Sequence, residues 1–396
     1  MNVILFDDHG RTNLLPLTFT RPCSELKVGI QTITEKWQRT LSLSVSFITQ
    51  DYLSAKYPTK FSKDNLYING RVLPNENLIT QIKKLSIGEC LMNDKEIIAI
   101  RSNHQFKNYK EIQETNLTTN SSEVDCTKIA FVYDIFTFNG SEIIQDYAQL
   151  TKGKTSYKLS STNTVIGDEI FIEEGVNAEA AVFNCTHGPI YLGKGSTVME
   201  GSLIKGPFSL GEYSTVKMGA KIYGDTSIGP NCKVGGEISN SVFLKNSNKG
   251  HDGFLGNSVI GEWCNLGADT NSSNLKNNYA NVKLWNYNKQ RFIDTGLQFC
   301  GLIMGDHSKC GINTMFNTGT IVGVSANIFG SNFPRNYIPS FTWGGSAGFA
   351  TYQTDKAFQT AIKVLERRNI IFTEIDKNML KTIFEETAQY RFWEKN

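Results

Sequence analysis

The chemistry this 396-residue chain could perform rests on five histidines, eight cysteines and a few clustered charges. His251 stands in the glycine-rich run NKGHDGFLG (248–256), and His307 in GDHSKCG (305–311). A neutral imidazole near its ordinary pKa can take a proton from an attacking amine. Beyond His251 lies a segment, 271–298, rich in Asn and Lys. Its amides can both donate and accept hydrogen bonds, and its ammonium groups suit an anion. Near the N terminus, Arg11, Arg21, Lys27 and Arg71 could hold an anionic ligand, whereas Asp7 and Asp8 would repel a triphosphate unless a metal lay between. His9, His104 and His187 carry no recognisable constellation. No two cysteines fall at CxxC spacing, so a zinc site or disulfide scaffold is not expected, and buried reduced thiols are.

The element that must position His251 is a repeat. From Leu192 an aliphatic residue recurs every sixth position: Leu192, Val198, Ile204, Leu210, Val216, Ile222, Ile228 and Val234. Eight such hits arise by chance about once in 10⁵ tries at ordinary Ile, Leu and Val usage. Glycine follows at 193, 211, 229 and 235, and a small residue comes four positions on at Ser196, Ser202, Ser214, Ala220, Thr226 and Cys232. The period is neither helical nor a simple alternation. It predicts short strands and tight turns, three to a coil, with the aliphatic residue inside a triangular prism and the small residue at its corner. Such coils bury apolar surface only by stacking. The expected fold is a left-handed parallel β-helix.

The same phase is read upstream at Ile166, Ile172 and Ala178, with a two-residue slip or small loop near Asn184–Pro189. Downstream it returns at Ile260 and Leu266, then at Ile303, Met315 and Ile321, with 271–298 ejected as a loop. The first 160 residues read as an α/β layer on a largely parallel sheet. Strands are expected at Val3–Phe6, Leu43–Thr49, Leu66–Asn69 and Glu96–Arg101, helices at Leu26–Trp37 and Asn77–Leu85, and an exposed loop at 116–125. Two amphipathic helices, near Asp355–Arg368 and Asp376–Trp393, follow as a flanking extension. The expected domains are 1–160, 161–340 and 341–396.

A net charge of +2 and a pI near 8.0 leave no basic excess for tracking nucleic acid. The opening apolar run is too short for a signal peptide and enters Asp7 and Asp8 directly, and no stretch reaches the ~20 apolar residues of a membrane span. The expectation is a cytoplasmic protein with neither membrane nor nucleic-acid partner.

NKGHDGFLG, with GEWCNLGADTNSSNLKNNYANVKL (261–284) and GDHSKCGINTMFNTGTIVG (305–323), resembles the C-terminal domain of bifunctional N-acetylglucosamine-1-phosphate uridylyltransferase/glucosamine-1-phosphate N-acetyltransferases. Archaeal sugar-1-phosphate nucleotidylyl/acetyltransferases are included. Ile4-Leu5 and PLTFTRP (16–22) resemble the opening of the partnered nucleotidylyltransferase domain. The resemblance implies acetyl-CoA as co-substrate, a sugar phosphate as acceptor and a homotrimer with sites between subunits. It assigns His251 as catalytic base, Asn274 to the sugar or thioester oxygen and Lys283 to the sugar phosphate. Phe254 stands where the family has tyrosine and Ala280 replaces a family lysine, so the acceptor pocket is altered. Arg21 is the expected anion binder of the N-terminal motif.

The family's nucleotidylyl loop, LAAGxGTR, reads LFDDHGRT here, the lysine after TRP falls on Cys23, and the metal-binding Asp of the strand-end NGD has become Arg71. Mg²⁺ is expected only if nucleotidyl transfer survives these losses. The resemblance thus favours an acetyl-CoA-dependent acyltransferase on an amino-sugar phosphate. A sugar-1-phosphate uridylyl- or thymidylyltransferase is second, and a non-catalytic sugar-nucleotide-binding or structural protein third.

Overall fold

The computed structural model describes residues 2–120 and 126–394. A six-stranded sheet opens the chain, in the order Val45–Ile48, Asn2–Phe6, Asn65–Asn69, Glu96–Ser102, Glu89–Asn93, Thr118–Asn120. The first three strands are parallel, but Glu96–Ser102 runs antiparallel to both neighbours. The sheet is therefore mixed, because Glu89–Asn93 returns through a tight turn that permits only antiparallel pairing. The expected loop at 116–125 contributes the edge strand Thr118–Asn120, and its residues 121–125 lie outside the described ones.

The helix expected at Leu26–Trp37 starts later, at Ile33. Lys27–Val28 and Gln31–Thr32 form a small hairpin first, because Gly29 takes a left-handed φ of 81°. Thr32 then caps the helix reciprocally with Glu35.

From Thr164 to Gly345 the chain forms a β-solenoid of about ten turns. All eight residues of the unbroken repeat point into it and are at most 2% exposed. Each such side chain taken from water stabilises by roughly 1.5–3 kcal/mol. Along one corner the small residues donate to carbonyls of the next coil: Ser214 Oγ to Gly229 (2.7 Å), Cys232 Sγ to Leu244 (3.0 Å), Ser247 Oγ to Gly261 (2.6 Å), Cys264 Sγ to Gly305 (3.2 Å). None of the eight cysteines is in a disulfide, and seven are buried.

Successive rungs such as Leu192, Leu210 and Ile228 are 18 residues apart, whereas Ile172 pairs with Leu192, 20 away. The slip near Asn184–Pro189 accounts for the two extra residues. Two phase assignments need correction. Val165, not Ile166, is in register with the interior residue Phe183. Downstream the interior residues are Met304, Phe316 and Val322, so Ile303, Met315 and Ile321 face outward.

That outward phase has a purpose on one side of the prism. Val242, Val259, Ile303 and Ile321 are fully buried and share one apolar cluster with Leu14, Leu17, Ile135 and the C-terminal helices. The N-terminal part and the helices Thr354–Glu366 and Glu374–Glu386 thus cover one face of the solenoid. The segment 273–300 leaves the coil and carries a hairpin, Lys283–Asn286 with Arg291–Asp294.

Candidate functional site

His251 occupies the corner between the rung Asn248–Lys249 and the strand Phe254–Ile260. Two glycines make that corner possible. A Cβ at Gly236 would lie 2.9 Å from the His251 carbonyl oxygen, and Gly253 holds a φ of 110° against Thr270. The imidazole is exposed, and among the described residues no hydrogen bond engages it.

Beneath it lies a residue that sequence reasoning missed. Lys249 points into the prism at a position where Val234 fills the adjacent coil, and it is 1% exposed. Its Nζ donates to the carbonyls of His251 (3.0 Å), Gly235 (3.2 Å) and Asp252 (3.3 Å). Burial lowers its pKa to about 8, with Asp252 opposing. The signal was a charged residue at an interior position of the six-residue period.

Phe254 and Asn274 adjoin. Asn271 Oδ1 accepts from the Phe254 backbone N–H (2.8 Å), and a Cβ at Gly256 would meet both the Phe254 ring and Asn274 Nδ2 at 2.6 Å. Asn274 Nδ2 donates to Asn257 Oδ1 (2.8 Å). Asn257 sits at the next corner of the coil, within the strand that begins at Phe254, with a left-handed φ of 47°. One chain therefore brings Phe254 and Asn274 together, and among the described residues no hydrogen bond links the His251 side chain to either. Lys283 is exposed on the inserted hairpin and lines an open cleft.

Arg21 requires a correction. It is 3% exposed, paired with Asp306 and, at 3.1 Å, with Glu262, while Thr20 Oγ1 donates to Asp306 Oδ2 (2.8 Å). A guanidinium closed in by two carboxylates is not available to a substrate anion. The retained PLTFTRP motif instead fastens the N-terminal part to the solenoid. Glu262 and Asp306 each follow a glycine that succeeds an interior residue, Ile260 or Met304, on paired rungs. That spacing could have placed them on one corner. His307, stacked on Trp263, is pushed down to about 3 by burial and then by Lys309, so it stays neutral.

The crevice beyond Asn2–Phe6 and Asn65–Asn69, where sheets of this kind bind ligands, is closed by its own charges. Arg71 holds Asp8 through both carboxylate oxygens, with Nε at 2.7 Å from Oδ1, and its guanidinium covers the space a Cβ at Gly10 would take. Burial raises the Asp8 carboxyl, but the Arg71 hydrogen bonds and charge outweigh it and hold it below its ordinary value. Asp7 accepts from the Cys23 backbone N–H (2.8 Å) and Thr49 Oγ1 (2.6 Å), with Arg11 at 3.5 Å. Both carboxylates are thereby spent on protein partners, and the donor set does not fit Mg²⁺. Among the described residues, no group of three or more His, Cys, Asp or Glu could hold a metal ion.

Residues 3–155 match the sugar nucleotidyl transferase family. The chain resembles the bifunctional sugar-1-phosphate nucleotidylyltransferase/acetyltransferases. The bifunctional protein GlmU of Methanocaldococcus jannaschii is 37% identical over 87 residues, which are 22% of this chain and 21% of that protein. The bifunctional sugar-1-phosphate nucleotidylyltransferase/acetyltransferase of Sulfurisphaera tokodaii is 34% identical over 93 residues, 24% of this chain and 23% of that one. The matched stretches thus span about a fifth of the length of these curated relatives, which are transferases. Similar solved structures include an Arabidopsis UDP-N-acetylglucosamine acyltransferase (16% identity, 55% of this chain, 79% of that one, TM-score 0.24). Another is the polySia-specific acetyltransferase NeuO (14% identity, 54% and 90%, TM-score 0.27). Among the described residues, no helix is long and apolar enough to cross a membrane.

Proposed function

We propose that the chain is an acetyl-CoA-dependent acyltransferase acting on an amino-sugar phosphate. The observation that carries the reading is the His251 corner, an exposed imidazole on a solenoid edge whose backbone is gripped from inside by Lys249. The imidazole takes the amine proton as the amine nitrogen attacks the thioester carbonyl, and the CoA thiolate leaves. Asn274 bonds the sugar or thioester oxygen, and Phe254 bounds the acceptor without the hydroxyl a tyrosine would offer. With no hydrogen bond linking the His251 side chain to Asn274 among the described residues of one chain, the site is completed by a neighbouring copy in a homotrimer.

Incubation with acetyl-CoA and glucosamine-1-phosphate, or another amino-sugar phosphate, should release free thiol. His251→Asn should reduce turnover by about 10²–10⁴-fold, the usual contribution of a general base. Turnover that survives this substitution would sink the mechanism.

Nucleotidyl transfer is the second reading, carried by the match of residues 3–155. The spent carboxylates of Asp7 and Asp8 stand against it. Pyrophosphate release from UTP or dTTP with a hexose-1-phosphate discriminates the two.

A further inference from the structure

An open cleft of about 990 Å³ lies between the inserted hairpin, the coil that holds Asn317 and the C-terminal tail. Among the described residues, three cations line it, Lys276, Lys283 and Arg335, and no carboxylate does. Lys276 Nζ donates to the Asn281 carbonyl (2.7 Å), and the Arg335 guanidinium lies 4.8 Å from the centre of the Phe392 ring. Two rings are left open to solvent: Phe292 on the hairpin, 42% exposed, and Phe392 on the tail, 41% exposed. Deeper in the wall, Trp285 stacks on Tyr337 at 4.3 Å.

Concentrated positive charge without carboxylates favours an anion. Exposed rings in a concavity favour a flat apolar surface. An inorganic anion leaves the rings unused, and an uncharged aromatic leaves the cations unused. The volume falls within the range of small-molecule sites, roughly 300–1,000 Å³, and a chain of net charge +2 is poorly suited to a polymeric nucleic acid. A molecule that joins a planar base to two phosphates uses every part of the wall. We infer that this cleft binds a nucleoside diphosphate, with the phosphates on Lys283 and Arg335 and the base against the exposed rings. Lys283 then holds the phosphates of a nucleotide and not that of the sugar acceptor. CoA and sugar nucleotides both contain this unit. The inference does not depend on His251 being a base.

The test is equilibrium binding to the whole chain of UDP, ADP, CoA and inorganic pyrophosphate, by calorimetry and by tryptophan fluorescence, for which Trp285 is a built-in reporter. Lys283→Ala and Arg335→Ala should each weaken nucleotide binding about tenfold, the loss of one charge-assisted contact. Phe392→Ala should weaken it severalfold. Lys363→Ala, on a helix outside the cleft and paired with Glu366 (3.0 Å), should leave it unchanged. Thermal melting of each variant separates lost contacts from lost fold. CoA binding best assigns the cleft to the acyl donor, and UDP binding best assigns it to a sugar nucleotide. The inference is overturned by no binding of the three nucleotides at millimolar concentration, by binding indifferent to both cation substitutions, or by pyrophosphate binding as tightly as the nucleotides. No turnover is read, so failure of the acyl-transfer assay leaves this result standing.

Discussion

The Nζ of Lys249 reaches from the interior of the prism to the main-chain carbonyl of His251, 3.0 Å away. An apolar residue there would pack as Val234 does in the adjacent coil, but it could not tie the corner. Lys249→Met should therefore keep the fold while lowering acyl transfer, and Lys249→Arg should not rescue it, because the larger planar guanidinium does not fit the same three carbonyls.

The same lysine gives a pH signature. Its folded pKa, about 8, lies below the unfolded value near 10.4. Between those values the unfolded chain binds the extra proton, so its contribution to stability rises with pH. Thermal unfolding of wild type and Lys249→Met across pH 7.5–10.5 should show wild type gaining on the variant by about 1–3 kcal/mol. Taking the difference removes the opposite trend of the buried thiols. A gap that stays constant with pH would refute the assignment.

Arg71→Ala should destabilise by about 3–5 kcal/mol, because it leaves Asp8 charged and buried without its partner. Asp8→Asn supplies the pH check. The Asp8 carboxyl sits below its ordinary value, so its stabilising contribution is complete above the unfolded pKa near 3.9 and is lost as pH falls through the folded value. The stability gap between wild type and Asp8→Asn should close below about pH 4.

Arg21→Ala and Asp306→Asn each break one side of the junction between the N-terminal part and the solenoid. Each alone should lower stability by about 3–5 kcal/mol, and the double variant should cost well below their sum, since the second change removes the charge that the first strands. Urea melts of the three variants measure the coupling. An additive result would mean that the pair does not act as a unit.

The solenoid was legible because each coil repeats the same physical demand. An aliphatic residue at Leu192 or Val216 and a small one at Ser214 answer local geometry, and even the slip at Asn184–Pro189 appears as an interruption of that spacing. The phase of Ile303 and Ile321 is one residue off the interior because a face covered by other parts of the chain is apolar on both sides, which blurs the period. The role of Arg21 was hidden for a related reason. Its partners Glu262 and Asp306 are some 240–285 positions away, and no local pattern encodes such a meeting. The helix start at Ile33 was available locally, in the Thr32–Glu35 cap, but the apolar run from Leu26 masked it. For the candidate site, His251 was marked by its motif, whereas Lys249 drew no notice among polar neighbours although its position in the repeat is interior.

The covered side of the prism constrains how copies can meet. The face bearing Val242, Val259, Ile303 and Ile321 is occupied by the chain's own N-terminal part and C-terminal helices, which leaves the ridge opposite it open to another molecule. That ridge carries His251, flanked along its length by Met218 and Ile312, 67% and 69% exposed.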